Sequence, residues 1–117
     1  MFSSSSRNRG KNAEALVAGL FESNGWEVQA SSADRGLRPG LIVRRNAQRF
    51  VVEVKAIAEG RADRVIPLLS QAILQAKAHA LDVGNAKPLA VICVEEASPS
   101  LLNPDFPIEQ FMTNWQV

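Results

Sequence analysis

The chain is poor in the residues that cross-link a fold or ligate soft metals. A single cysteine, Cys93, excludes an internal disulfide and any multi-cysteine zinc site. It sits in an apolar run and reads as core. A single histidine, His79, has no second imidazole to join it in a metal site, and reads as a helix-surface residue. The uninterrupted apolar runs are only a few residues long, far short of the roughly 20 that cross a bilayer, so no membrane partner is expected. Met1 to Ser6 is serine-rich and lacks an apolar stretch, so no secretory signal is expected and the cytoplasm is the expected compartment. There is no internal repeat and no linker long enough to separate two domains. What remains is 117 residues with 46% apolar and 21% charged side chains, the balance of one soluble globular domain with one core. That composition excludes a disordered chain and a collagen-like repeat.

The net charge of +1 is a sum of unlike parts. Between Arg35 and Arg64 lie eight basic residues and three acids, whereas Glu95 to Val117 holds four acids and neither lysine nor arginine. Such asymmetry fits either a surface that faces a polyanion or a solvated face with no specific role.

The periodicities predict an α-β-β-β-α-β order with a helical appendix. Ala13, Leu16, Val17, Leu20 and Phe21 form one helical stripe, which Asn24-Gly25 ends. Trp26 to Ala30 reads as a strand and Ser31 to Gly40 as a loop. Leu41 to Arg44 and Arg49 to Ile57 read as a hairpin around Arg45 to Gln48, with Ala58 to Arg64 a charged connection. A second helix is expected from about Pro67, in its first turn, to Leu81, with Leu69, Ala72, Ile73, Ala76 and Ala80 inward. Leu89 to Val94 reads as a strand buried on both faces. Pro99, Pro104 and Pro107 mark an irregular segment, and Ile108, Phe111, Met112 and Trp115 close the chain at helical spacing. The expected organisation is a flexible tail over 1–9, an α/β domain over 10–97, and a proline-containing segment with a C-terminal helix over 98–117. That helix packs on the domain itself or on a dimer partner. A mixed sheet flanked by helices follows from strands interleaved with two helices.

The chemistry-bearing segment is Phe50 to Ala56. On a strand Phe50, Val52, Val54 and Ala56 share one face, and Glu53 and Lys55 project together from the other. A buried carboxylate and ammonium are costly without partners, so that face is either open to water, with Glu53–Lys55 a surface ion pair, or the pair has a task. If Arg44 pairs with Arg49, the numbers of each hairpin pair sum to 93 and Gly40 lies opposite Glu53. A one-residue slip would send the facing set to the other side.

With Arg38-Pro39-Gly40-Leu41-Ile42-Val43 followed by Val52-Glu53-Val54-Lys55, the sequence resembles the PD-(D/E)xK, or restriction-endonuclease-like, nuclease superfamily. Asn12-Ala13-Glu14 and then Asn24-Gly25-Trp26 are similar to the opening of its Holliday-junction-resolvase branch. The likeness spans about residues 9 to 95 and implies a single-domain restriction-endonuclease-like αβββαβ core. It implies an Mg²⁺-dependent endonuclease acting on DNA phosphodiesters, with Mn²⁺ as a substitute ion. Glu53 would be a metal ligand, Lys55 the catalytic lysine and Glu14 an auxiliary carboxylate. Arg35, Arg38, Arg44, Arg45, Arg61 and Arg64 would meet phosphates. Gln71, with Gln75 at i+4 and beside Lys77, would approach the DNA or stand on an exposed helix face. A homodimer is the assembly that the family and the apolar tail helix suggest.

One position departs from the family pattern: Gly40 stands where the motif's aspartate belongs, so metal binding is expected to be weak or absent. Either the domain is a catalytically inactive nuclease fold serving as a DNA-binding or assembly module, or Asp34 swings in as the missing ligand, or an aspartate was replaced by Gly40.

Overall fold

In the computed structural model of the chain, the described residues are 6–30 and 40–97. They form helix α1 (Ser6–Ser23), strands β1 (Glu27–Ala30), β2 (Leu41–Arg45) and β3 (Gln48–Gly60), helix α2 (Ala62–Val83) and strand β4 (Lys87–Ala97). The expected loop before Gly40 and the C-terminal helix lie outside the described residues.

Helix α1 begins at Ser6, inside the span read as a tail. Ala13 and Val17 are buried and Phe21 and Ala18 pack on the same cluster, but Leu16 and Leu20 remain 60% and 57% exposed. The buried arc therefore follows the i, i+4, i+8 line through 13, 17 and 21, and only part of the expected stripe faces the sheet. The helix ends as its sequence predicts. Gly25 takes φ +83°, Trp26 donates its backbone N–H to the Phe21 carbonyl (3.1 Å), and Gly25 donates to Glu22 (3.1 Å). This is a Schellman ending, and its apolar contact is present as an edge-on Phe21–Trp26 pair with ring centroids 5.6 Å apart. Trp26 meets Phe50 in the same way at 5.7 Å, which ties the helix end to β3.

The hairpin keeps the expected register and extends it by one pair. Arg44 pairs with Arg49, Leu41 with Val52, and also Arg45 with Gln48, so the turn is only Asn46-Ala47. Asn46 accepts the left-handed φ of 55° that so tight a turn demands. β3 runs on to Gly60 where a loop was expected, and α2 starts at Ala62, so Pro67 is inside the helix rather than at its entry. Its ring cannot donate to the Asp63 carbonyl.

The sheet order is β1-β2-β3-β4, antiparallel except for the parallel β3–β4 pair that α2 connects. β4 is therefore an edge strand of the described sheet. A strand buried on both faces was expected, but at an edge only Ala90 is buried and Leu89 and Val91 to Val94 are half-buried. Period two then sorts the core. Ala13, Val17, Leu41, Val43, Val52 and Val54 form the cluster under α1, and Leu69, Ala72, Ile73 and Ala90 form the cluster under α2. Val43, Val51 and Val52 are fully excluded from water, each worth roughly 1.5–3 kcal/mol of transfer free energy.

Candidate functional site

Glu53 projects from the middle of β3 toward α2 and is 4% exposed, the one buried charged residue among those described. The alternation that buries Val52 and Val54 under α1 forces Glu53 and Lys55 to the other face. Lys55 reaches back so that its Nζ lies 3.7 Å from Glu53 Oε1. His79 comes down from α2 and places Nδ1 3.3 Å from Oε2. One carboxylate is thus held between an ammonium and an imidazole, and the water-exposed ion pair is not what forms. Oε2 and His79 Nδ1 are buried, and neither makes a hydrogen bond of good geometry. The His79 contact is electrostatic, and it is an ion pair only when the ring is protonated.

His79 was read as a surface residue. The structure turns it inward, with its side chain 13% exposed. Val65, Leu69, Ala72 and Ala76 are buried on α2 at spacings of four, three and four, and His79 takes the next place in that series. That spacing is the signal that marks it as inward facing, whereas its being the only histidine says nothing about its direction.

The other described site candidates do not converge on Glu53. Glu14 stands half-buried on α1, the helix packed over the Val52–Val54 face, across the sheet from the Glu53 carboxylate. Among the described residues no three His, Cys, Asp or Glu side chains are grouped to hold a metal, so Glu14 does not join Glu53 and His79. Asp34, Arg35 and Arg38 lie outside the described residues. Gln71 is exposed on α2, in a shallow groove with Arg64, Pro67, Leu68 and Leu74, and points away from the sheet.

Gly40 stands at a close approach of two strands. It is buried, and a Cβ built on it would collide with the backbone carbonyl of Val52, with Glu53 Cα 3.3 Å away. The backbones approach so closely beside Glu53 that glycine is the residue that fits. A second carboxylate cannot enter at this position without moving β2 or β3. An Mg²⁺ ion asks for several hard oxygen ligands at near-octahedral geometry. The described residues offer it one carboxylate, already faced by a lysine. They do not fit that ion.

Five of the described arginines fall into two groups at opposite ends of β3. Arg44, Arg45 and Arg49 sit at the hairpin end, Arg61 and Arg64 where β3 passes into α2. Twelve strand positions from Arg49 to Arg61 correspond to roughly 40 Å. Arg44 meets Glu27 at 3.3 Å, with both side chains largely exposed, and lines a trough of about 400 Å³ with Arg49, Gln29 and Ile42. Arg45 stacks over Trp26 at 4.6 Å and donates to the Asn24 carbonyl at 3.2 Å. Arg61 meets Asp63 at 3.5 Å. No described helix is long and apolar enough to cross a membrane. Comparison with protein-family models, with curated proteins and with solved structures finds no match to this chain.

Proposed function

We propose that the chain is a restriction-endonuclease-like domain that binds nucleic acid and does not hydrolyse it. The observation that carries this reading is the surroundings of Glu53: Lys55 and His79 face its two oxygens, and the Val52 carbonyl occupies the space that a Cβ at position 40 would need. A carboxylate with an ammonium 3.7 Å from one of its oxygens has less charge to present to a cation. The two arginine groups suit an extended polyanion, since both ends of β3 are reached only by a ligand about as long as the strand. Surface ion pairs such as Arg44–Glu27 are worth at most about 1 kcal/mol, so a phosphate displaces the carboxylate readily.

The competing reading is Mg²⁺-dependent DNA cleavage in which Asp34 supplies the missing ligand. The unpartnered Glu53 Oε2 favours it, because an orphaned buried oxygen is what a ligand would satisfy. The test is fluorescence anisotropy of the full chain on labelled duplex and single-stranded DNA, in EDTA, across a salt series. The reading predicts metal-independent binding with log K falling as log salt rises, by about 0.9 for each phosphate neutralised. Arg44→Ala and Arg64→Ala should each shallow the slope by about one contact. A flat plot, or binding that requires Mg²⁺, would defeat it.

A further inference from the structure

The two edges of the described sheet are built differently. β1 is four residues long and carries Glu27 and Gln29, a short polar edge of the kind that resists pairing. β4 is eleven residues long, and from Leu89 to Val94 it holds no charge and no proline. Its inner side pairs with β3; no described strand pairs with its outer side. Leu89, Val91, Ile92, Cys93 and Val94 are all only half-buried. An edge of this length and polarity is a template for another strand, through its row of backbone donors and acceptors.

The charges on β4 say which strand. Lys87 stands at its start and Glu95 and Glu96 near its end, so the strand is positive, then apolar, then negative. In a parallel pairing with a second copy, like charges would meet at both ends. In an antiparallel pairing, unlike charges meet. Side chains opposite each other in such a pair share a face, so only residues of equal parity can be partners. Leu89, Val91 and Cys93 lie on the α1 face, and Glu95 is held there too, 2.9 Å from Arg9 on α1. Lys87 belongs to the same alternation. The register centred on Val91 sets Lys87 against Glu95, Leu89 against Cys93, Ala90 against Ile92, and Val91 against its own equivalent. The register centred on Ile92 would set Lys87 against Ala97 and Glu95 against Leu89, and would leave the charges unmatched.

We propose that β4 pairs antiparallel with β4 of a second copy about a twofold axis at Val91, closing two Lys87–Glu95 contacts and joining two four-stranded sheets into one. Both halves of the contact come from one surface, as an isologous dimer requires. The pairing covers the apolar edge. It stands independently of the nucleic-acid reading.

The experiment is light scattering after size-exclusion chromatography on the full chain, across a concentration series. The expected mass is twice the 12.7 kDa of the chain. Lys87→Glu and Glu95→Lys both fall at exposed positions, and each should weaken the dimer about tenfold or more, because each creates two like-charge pairs. The double swap Lys87→Glu/Glu95→Lys should restore association. In a Cys93→Ser background, Val91→Cys should give a reducible covalent dimer with diamide as oxidant, while Leu89→Cys should not. A monomer at every concentration, a dimer indifferent to both charge reversals, or cross-linking through Leu89→Cys in place of Val91→Cys would each overturn the proposal.

Discussion

Replacing Gly40 by alanine adds one methyl group at the most constrained point of the hairpin. The added Cβ runs into the Val52 carbonyl oxygen and lies 3.2 Å from the Val52 carbonyl carbon and 3.3 Å from Glu53 Cα. All three atoms are backbone, so no rotamer change relieves the contact, and β2 must move away from β3. Overpacking of this kind costs about 1–3 kcal/mol. A glycine-to-alanine change otherwise gains about 0.4–1 kcal/mol by restricting the unfolded chain. The net expectation is a loss of about 1–2 kcal/mol, which for a domain of this size lowers Tm by roughly 4 °C per kcal/mol. Gly40→Asp should lose more, because it adds a second buried carboxylate beside Glu53. Urea unfolding followed by circular dichroism reads both, with unchanged m-values showing that the folded state remains compact. If Gly40→Ala is as stable as the parent protein, the close approach of Val52 is wrong. The claim that Gly40 is there for space then falls with it.

Further outcomes follow from the packing around Glu53 and from the ends of β3. Lys55→Met leaves Glu53 with the imidazole alone and should cost about 1–3 kcal/mol in urea unfolding, whereas Glu53→Met/Lys55→Met should recover much of that loss. A double variant as unstable as the sum of the singles would show that the pair is not coupled. Arg45→Ala removes the stack on Trp26 and the bond to the Asn24 carbonyl, for about 1 kcal/mol, and should change Trp26 fluorescence. Burial pushes the Cys93 thiol above its ordinary value of 9.0. Its folded state therefore holds the proton to higher pH than the unfolded chain, so its contribution to stability is intact below pH 9.0 and declines as pH rises further. At pH 8 alkylation of the native protein should be slower than that of the urea-unfolded chain, and equal rates would refute the burial.

Much of the hairpin was legible because strand chemistry has a period of two. Once Arg44 is set against Arg49, the facing of Val52 and Glu53 follows without further information. The end of α1 was legible for a like reason, since Gly25 and the Phe21–Trp26 contact are local. Three features were not. Sheet order is set by which strand α2 returns to, so the apolar run Leu89 to Val94 reads the same at an edge as at a centre. Gly40 looks in a sequence like an absent acid, and only the nearness of Val52 shows it as a required glycine. Arg44, Arg45 and Arg49 lie near Arg61 and Arg64 in sequence, and an extended β3 carries the two sets to its opposite ends. His79 lies between these cases: its place in the Val65–Leu69–Ala72–Ala76 series was readable, but its contact with Glu53 depends on how α2 crosses the sheet.

The central claim is that Glu53, faced by Lys55 and His79, does no metal chemistry. The most direct measurement is plasmid nicking by the full chain in Mg²⁺ and in Mn²⁺, with Glu53→Gln as the paired control. The account predicts no nicking above the control in either ion, under conditions where the chain binds the same plasmid in EDTA. Metal-dependent nicking that disappears in Glu53→Gln would contradict it.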